Sequence, residues 1–377
     1  MAVNDEIRDQ LLAHQVELIR FGKGLATRIN RLINKGEPEL QRALRARLDR
    51  IAHLGWDPGP ATTRRMQRTL KLITEINKPT FAQINALVTK ELRGLAIGET
   101  TFMSGVLTDS LPVVFEPVLP TAATLAGIVR ARPFTNEVLR QWLGTYSRGD
   151  RRRMMDEIRQ GLLFDESPTQ ISRRIFGTRA LGGTDGVREI TRRGAQTLAQ
   201  TATSAVSNAS RQALYLANKR IIPREQYVAT LDSRTTPICQ SLDGEVFPVG
   251  EGPIPPVHIN CRSIRVPVVN GRKLGTRPAV AATERNLRGL KGQARSRAID
   301  KLVGRVPVST TYQKWLGRQN VAFQNEVLGP TRGVLFRKGE IDLPGFVDQS
   351  GSRWTLRELY DQDPARFQRA GVPAPAL

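Results

Sequence analysis

The chain has 377 residues, room for two or three ordinary domains of about 150 residues each. With 40% hydrophobic and 24% charged residues it can bury cores and is not a disordered chain. Its 57 Lys and Arg against 35 Asp and Glu leave +22, which excludes a neutral globule and points to polyanionic partners, either nucleic acid or an acidic protein surface.

The N-terminal stretch Met1–Gln10 carries Asp5, Glu6 and Asp9, where a signal peptide needs a basic start and an apolar run. In Ile7–Ile33 apolar residues recur at three- and four-residue steps, which predicts a helix. Gly36 is expected to end it, and Pro38 to open a second helix over Leu40–Leu54. Thr62–Ile76 and Phe81–Ile97 predict two more. His14 and His53 fall inside these helices with no second ligand nearby and read as ordinary helix residues. The greasiest segment, Leu111–Val129, is interrupted by Pro112, Glu116, Pro117 and Pro120 and so cannot span a bilayer as a helix. The expectation is a soluble protein made in a cytoplasm, with no membrane partner.

After the Pro-rich connection Val113–Pro120, helical signals resume at Asn136–Tyr146. Ser167-Pro168-Thr169-Gln170 is a helix start: Ser167 as N-cap, Pro168 at the first position and Gln170 closing a capping box, with Gly177 as the stop. A long helix follows from Val187 to about Lys219, one face apolar and the other rich in Thr, Ser and Asn. From Ile221 the texture changes. Gln226–Leu231, Glu245–Val249 and Ser263–Val269 read as short strands separated by Pro and Gly turns. Asn270–Val306 is a polar stretch rich in Lys and Arg against only Glu284 and Asp300, and it reads as a flexible basic segment. A helix around Tyr312–Val327 opens a C-terminal unit. The resulting division is an N-terminal helical region (1–112), a second module (121–270), a basic linker (271–308) and a C-terminal unit (309–377). The fold class is α+β and predominantly α-helical, with a small Cys/His-containing β module and a small C-terminal α/β unit.

No phosphate-binding loop, nucleophile elbow or His-Glu-x-x-His motif is present. The dense constellation lies between Asp232 and Arg265, where both cysteines of the chain and one of its three histidines fall within 23 residues. Cys239, His258 and Cys261 are ligand types that suit Zn²⁺. Asp232 is the acid that would complete the set, with Asp243 as its rival. Three readings stand: a structural metal stapling a small module, unliganded thiols beside a hydrogen-bonded histidine, and a Cys239–Cys261 disulfide, which a reducing compartment disfavours. Thiol catalysis with His258 as base would need an orienting third group and a cleft.

The pattern Asp232, Cys239, Asp243-Gly244, Phe247 and Pro255-Pro256-Val257-His258-Ile259-Asn260-Cys261-Arg262 resembles the Mu F-like phage head morphogenesis domain of minor head proteins. That family commonly carries a Cys-x-x-Cys pair at the first cysteine, and here Leu242 stands at the second position. The resemblance runs upstream through Phe164–Ile175 and the long helix. Downstream, Tyr312-Gln313-Lys314-Trp315-Leu316 and onward to Thr355-Leu356 and Glu358-Leu359 resembles the usual tail of phage minor head proteins.

The resemblance implies a structural virion protein, not an enzyme. It would associate with the portal protein inside the head near the portal vertex, be assembled in the host cytoplasm, and take part in head assembly and in packaging or ejection of double-stranded DNA. Major capsid or scaffold proteins are the further implied partners, and structural zinc is the one cofactor in question. The charge suits contact with genome phosphates. The residues singled out for DNA or portal are Arg151, Arg152 and Arg153, then Arg272, Lys273, Arg285, Arg288, Lys291, Arg295 and Arg297. Few aromatics interleave them, so DNA contact would be sequence-neutral. The alternatives are a sequence-neutral DNA-binding protein without a portal role, or a toxin-type enzyme carrying this module. Against the latter, the 68 residues from Thr310 onward lack histidine.

Overall fold

The computed structural model of the chain describes residues 3–53, 60–111, 116–134, 137–269, 276–282, 284–307 and 309–375. It is an α+β protein dominated by helices, with small antiparallel sheets. The chain divides into two compact units, neither of them contiguous: residues 1–15, 100–120 and 211–377, and residues 16–99 and 121–210. Among the described residues no helix is long and apolar enough to cross a membrane.

Helices α1 (Val3–His53) and α2 (Pro60–Ser110) correct the four-helix expectation: each runs through its internal proline, Pro38 or Pro79. An interior proline costs about 3 kcal/mol, but the apolar spacing continues across it. Leu25, Ile29 and Ile33 before Pro38, and Leu40, Leu44, Leu48 and Ile51 after it, are all buried. Asn34 and Glu37, which flank the would-be break, are held by Arg192: Asn34 Oδ1 accepts from Nε at 3.0 Å, and the Glu37 carboxylate accepts from Nη2 at 2.7 and 2.8 Å. Tertiary contacts thus outweigh the local stop signals.

In the second-named unit, α1 and α2 pack with α3 (Ala122–Ala131), α4 (Leu139–Leu163), α5 (Pro168–Phe176) and the first part of α6 (Arg188–Ala217). A two-residue hairpin, β1 (Pro133–Phe134) and β2 (Glu137–Val138), precedes α4. The capping box at α5 forms as expected: Ser167 Oγ accepts from Gln170 N and Gln170 Oε1 from Ser167 N. Gly177 ends the helix at φ +77°, and a Cβ there would lie 2.6 Å from Asp185 Oδ1. The Thr/Ser face of α6 is not a surface, because residues 201–210 are all buried. Several of its polar side chains bond back to the preceding turn, as Thr203 does to the Ala199 carbonyl at 2.7 Å.

In the first-named unit, β3 (Arg224–Val228) lies between β4 (Val246–Pro248) and β5 (Ile264–Val268), all antiparallel, with α7 (Pro237–Leu242) connecting β3 to β4. The stretch expected to be a flexible basic linker contains a hairpin, β6 (Thr276–Val280) with β7 (Val303–Pro307), enclosing α8 (Glu284–Leu287) and α9 (Gly292–Asp300). Its alternation is carried by Arg277 and Ala279, both buried, a pattern that hydrophobicity alone does not flag. The segment expected as one helix from Tyr312 is two, α10 (Tyr312–Gly317) and α11 (Val321–Leu328), the second capped by Asn320. With α12 (Pro330–Arg337), α13 (Leu356–Gln362) and α14 (Pro364–Ala370) they enclose an aromatic core of Tyr312, Trp315, Phe323, Phe346 and Phe367.

Candidate metal centre

The loops around β3 bring the three sequence-predicted arms together. Cys239 sits on α7, which Pro237 opens at its first turn, and Cys261 lies in the loop before β5, with Arg262 and Ser263 between. His258 follows the Pro255-Pro256 pair, whose peptide is cis. Cys239 Sγ lies 3.1 Å from His258 Nε2 and 3.7 Å from Cys261 Sγ. The three ligand atoms all fall within 4.8 Å of one another. Both thiols are free, so the disulfide reading is set aside. Tyr227, from the centre of the sheet, brings its hydroxyl to 3.3 Å from Cys239 Sγ.

His258 Nδ1 lies 2.8 Å from the Ile259 carbonyl, an acceptor only, so this nitrogen carries the proton. That tautomer aims the Nε2 lone pair at the sulfurs, the usual arrangement for a metal-binding imidazole. Acceptance of a hydrogen bond from Cys239 holds the Cys261 thiol well below its ordinary pKa despite burial. The same bond, together with burial, pushes Cys239 up. Burial works against a charged His258, but hydrogen bonding and charge from Cys261 raise its pKa overall. Three soft or borderline donors this close together can hold a metal ion.

Asp232 is not a fourth arm. Its carboxylate accepts from Arg262 Nη1 at 2.6 Å and Nη2 at 2.9 Å, and from Thr235 Oγ1 at 3.0 Å. It fastens the 231–235 turn to the loop that carries His258 and Cys261. Asp243 is also committed elsewhere, to Arg277. The position where a second cysteine is expected, Leu242, packs against the small cluster that holds Tyr227, Ala229, Cys239 and Cys261. A hollow of about 20 Å³ beside Cys239 and His258 has room for one water-sized occupant.

Burial alone would raise the Asp232 carboxyl, but the Arg262 hydrogen bond and charge outweigh it and hold it low. A depressed folded-state value means that this pair's contribution is present above the unfolded-state value near 3.9 and is lost as pH falls through the folded one. We expect Asp232→Asn to cost roughly 1.5–3 kcal/mol at neutral pH and to flatten the acid limb. Urea unfolding at neutral pH and at about pH 3 checks both.

The basic residues singled out from sequence separate in the structure. Arg153 donates to Thr191 Oγ1 at 2.9 Å, and Arg152 faces Asp156 at 3.7 Å. Arg151 is half-buried. Arg272 and Lys273 lie outside the described residues, and of Arg285 only its place on α8 is described. Arg288, Lys291 and Arg297 are exposed, and Arg295 donates to the Leu287 carbonyl. Sequence reasoning missed the buried cations. Arg265 pairs with Glu225 at 3.2 Å, lies 4.6 Å from the centre of the Phe247 ring and ties down the Glu251 and Pro253 carbonyls. A signal for it existed: an arginine inside an otherwise apolar strand.

Residues 151–265 match the family model described as Phage Mu protein F like protein. The match covers less than a third of the chain. The Mu F-like region thus runs from within α4 to β5 and contains all three arms of the centre. No curated protein and no solved structure matches the chain.

Proposed function

We propose that the protein is a minor phage head protein that associates with the portal and takes part in head assembly and in packaging or ejection of the genome, in a structural rather than an enzymatic role. The observation that carries this is the Mu F-like match over 151–265, and the net charge of +22 agrees with work beside a packaged polyanion. Co-sedimentation with the cognate portal is expected to persist at high salt without DNA. Binding seen only through DNA, and lost as salt rises, would leave a sequence-neutral DNA-binding protein and remove the portal role.

The same reading makes the Cys239/His258/Cys261 group a structural zinc centre. Around zinc with bonds of about 2.3 Å to sulfur, tetrahedral geometry sets the sulfurs about 3.8 Å apart, and the Cys239–Cys261 separation is 3.7 Å. Bound there, the ion would staple α7 and the 258–261 loop to the small sheet.

A further inference from the structure

A further basic surface lies away from the arginines that the sequence singles out, in the unit formed by 16–99 and 121–210. The C-terminal part of α1 runs beside the first turns of α2. Arg47 ties them, donating from Nη2 to the Arg65 carbonyl at 3.2 Å and from Nε to Thr69 Oγ1 at 3.3 Å. Leu44, Leu48, Ile51 and Ile73 point into a core shared with Met154 and Ile158. Arg42, Arg45 and Arg50 of α1 and Arg64, Arg68 and Lys71 of α2 are left exposed. Arg64, Arg68 and Lys71 follow at four- and three-residue steps and so share one helix face.

Residues 42–50 and 61–74 hold eight Arg or Lys against a single acid, Asp49. Among the described residues, none of the six exposed cations enters an ion pair. Arg42 and Arg45 bond only to neutral oxygens, the Pro38 carbonyl at 3.4 Å and Thr169 Oγ1 at 2.7 Å. Burial, then the charges of Arg68, Arg50 and Arg65, lower the pKa of the Arg47 guanidinium. Folding therefore gathers like charges here with almost no acid between them, at a cost that an extended anion would relieve.

Neither stretch contains an aromatic residue, so the surface has no platform for base stacking and no ring to anchor a protein partner. Leu70, 40% exposed, is its one large apolar side chain in the open. The row from Arg64 to Lys71 extends about 10 Å along α2, long enough to meet several charges of a duplex that carries one per roughly 1.7 Å.

We infer that the face formed by Arg50, Arg64, Arg68 and Lys71 is a sequence-neutral docking surface for the phosphate backbone of double-stranded DNA. The choice of DNA among polyanions rests on the head-protein reading above. The surface itself lies outside the Mu F-like match.

The test titrates the full chain onto a fluorescent duplex at salt between about 50 and 200 mM. In the variant Arg64→Gln/Arg68→Gln/Lys71→Gln, the slope of log K against log salt should become shallower by about 2.7, at roughly 0.9 per lost phosphate contact. The loss should be equal on unrelated sequences. Arg64→Lys/Arg68→Lys keeps the slope, because only charge is read. All these positions are exposed, and a thermal melt should show no loss of stability. An unchanged slope in the Gln variant overturns the surface, whatever its portal binding. A shallower slope with portal co-sedimentation retained supports it. If wild type fails to bind portal, the head-protein reading falls, while a slope loss in the Gln variant still supports the surface.

Discussion

Replacing Arg277 with Met is expected to lower the unfolding free energy by about 3–5 kcal/mol, the cost of leaving a buried charge without its partner. Arg277 reaches in from β6 and meets Asp243 through two hydrogen bonds of 2.9 Å, with side-chain exposures of 4% and 0%. Its guanidinium also donates to the Ala229 and Thr310 carbonyls. The carboxylate accepts from the Ala229 backbone N–H at 2.7 Å and from that of Tyr312 at 2.7 Å. One ion pair thus joins the end of β3, the residue after α7, the β6–β7 hairpin and the start of α10. Without Arg277 the carboxylate keeps two N–H donors but no counter-charge. Denaturant unfolding of the full chain measures the loss. Adding Asp243→Asn should recover part of it, because the two changes are coupled rather than additive. An Arg277→Met variant as stable as wild type would mean that the pair is not the organising contact described here.

Leu242→Cys is expected to convert a three-armed centre into a four-ligand one and to bring zinc binding into the range of about 10–16 kcal/mol found for structural sites. Leu242 packs against the cluster that contains Cys239 and Cys261, so a thiol there borders an existing group. Cys261→Ser should abolish binding in both backgrounds. Affinity should rise with pH, because the ion must displace the proton that burial and Cys261 hold on Cys239. Competition with a chromogenic chelator, run at several pH values, reads all three effects. If Cys261→Ser leaves zinc uptake unaltered and Leu242→Cys adds nothing, the group is a thiol–imidazole hydrogen-bond cluster and not a metal centre.

Signals that depend on near neighbours were legible in the chain. The Ser167–Gln170 capping box and the Gly177 stop need only residues a few positions apart, and they form as read. The grouping of Cys239, His258 and Cys261 was legible for a related reason: a short separation across one small sheet keeps the arms close. Element boundaries at Gly36, Pro38 and Pro79 were misread because their local cost is small beside the burial gained by continuing each helix.

The sequence by itself determined the helix-rich class, the excess of cationic residues and the soft-ligand group, all of which follow from composition, periodicity and short spacing. Only the tertiary structure decided where each charge ends up. Asp232 goes to Arg262 and Asp243 to Arg277, 34 residues away. Arg152 and Arg153 turn to partners within their own unit. Among the described residues, Arg64, Arg68 and Lys71 face solvent and enter no ion pair. The physical reason is that a charge is either neutralised by a neighbour or left to the solvent. Which of these occurs depends on the three-dimensional distance to an opposite charge, a quantity that a linear count of Lys and Arg does not contain.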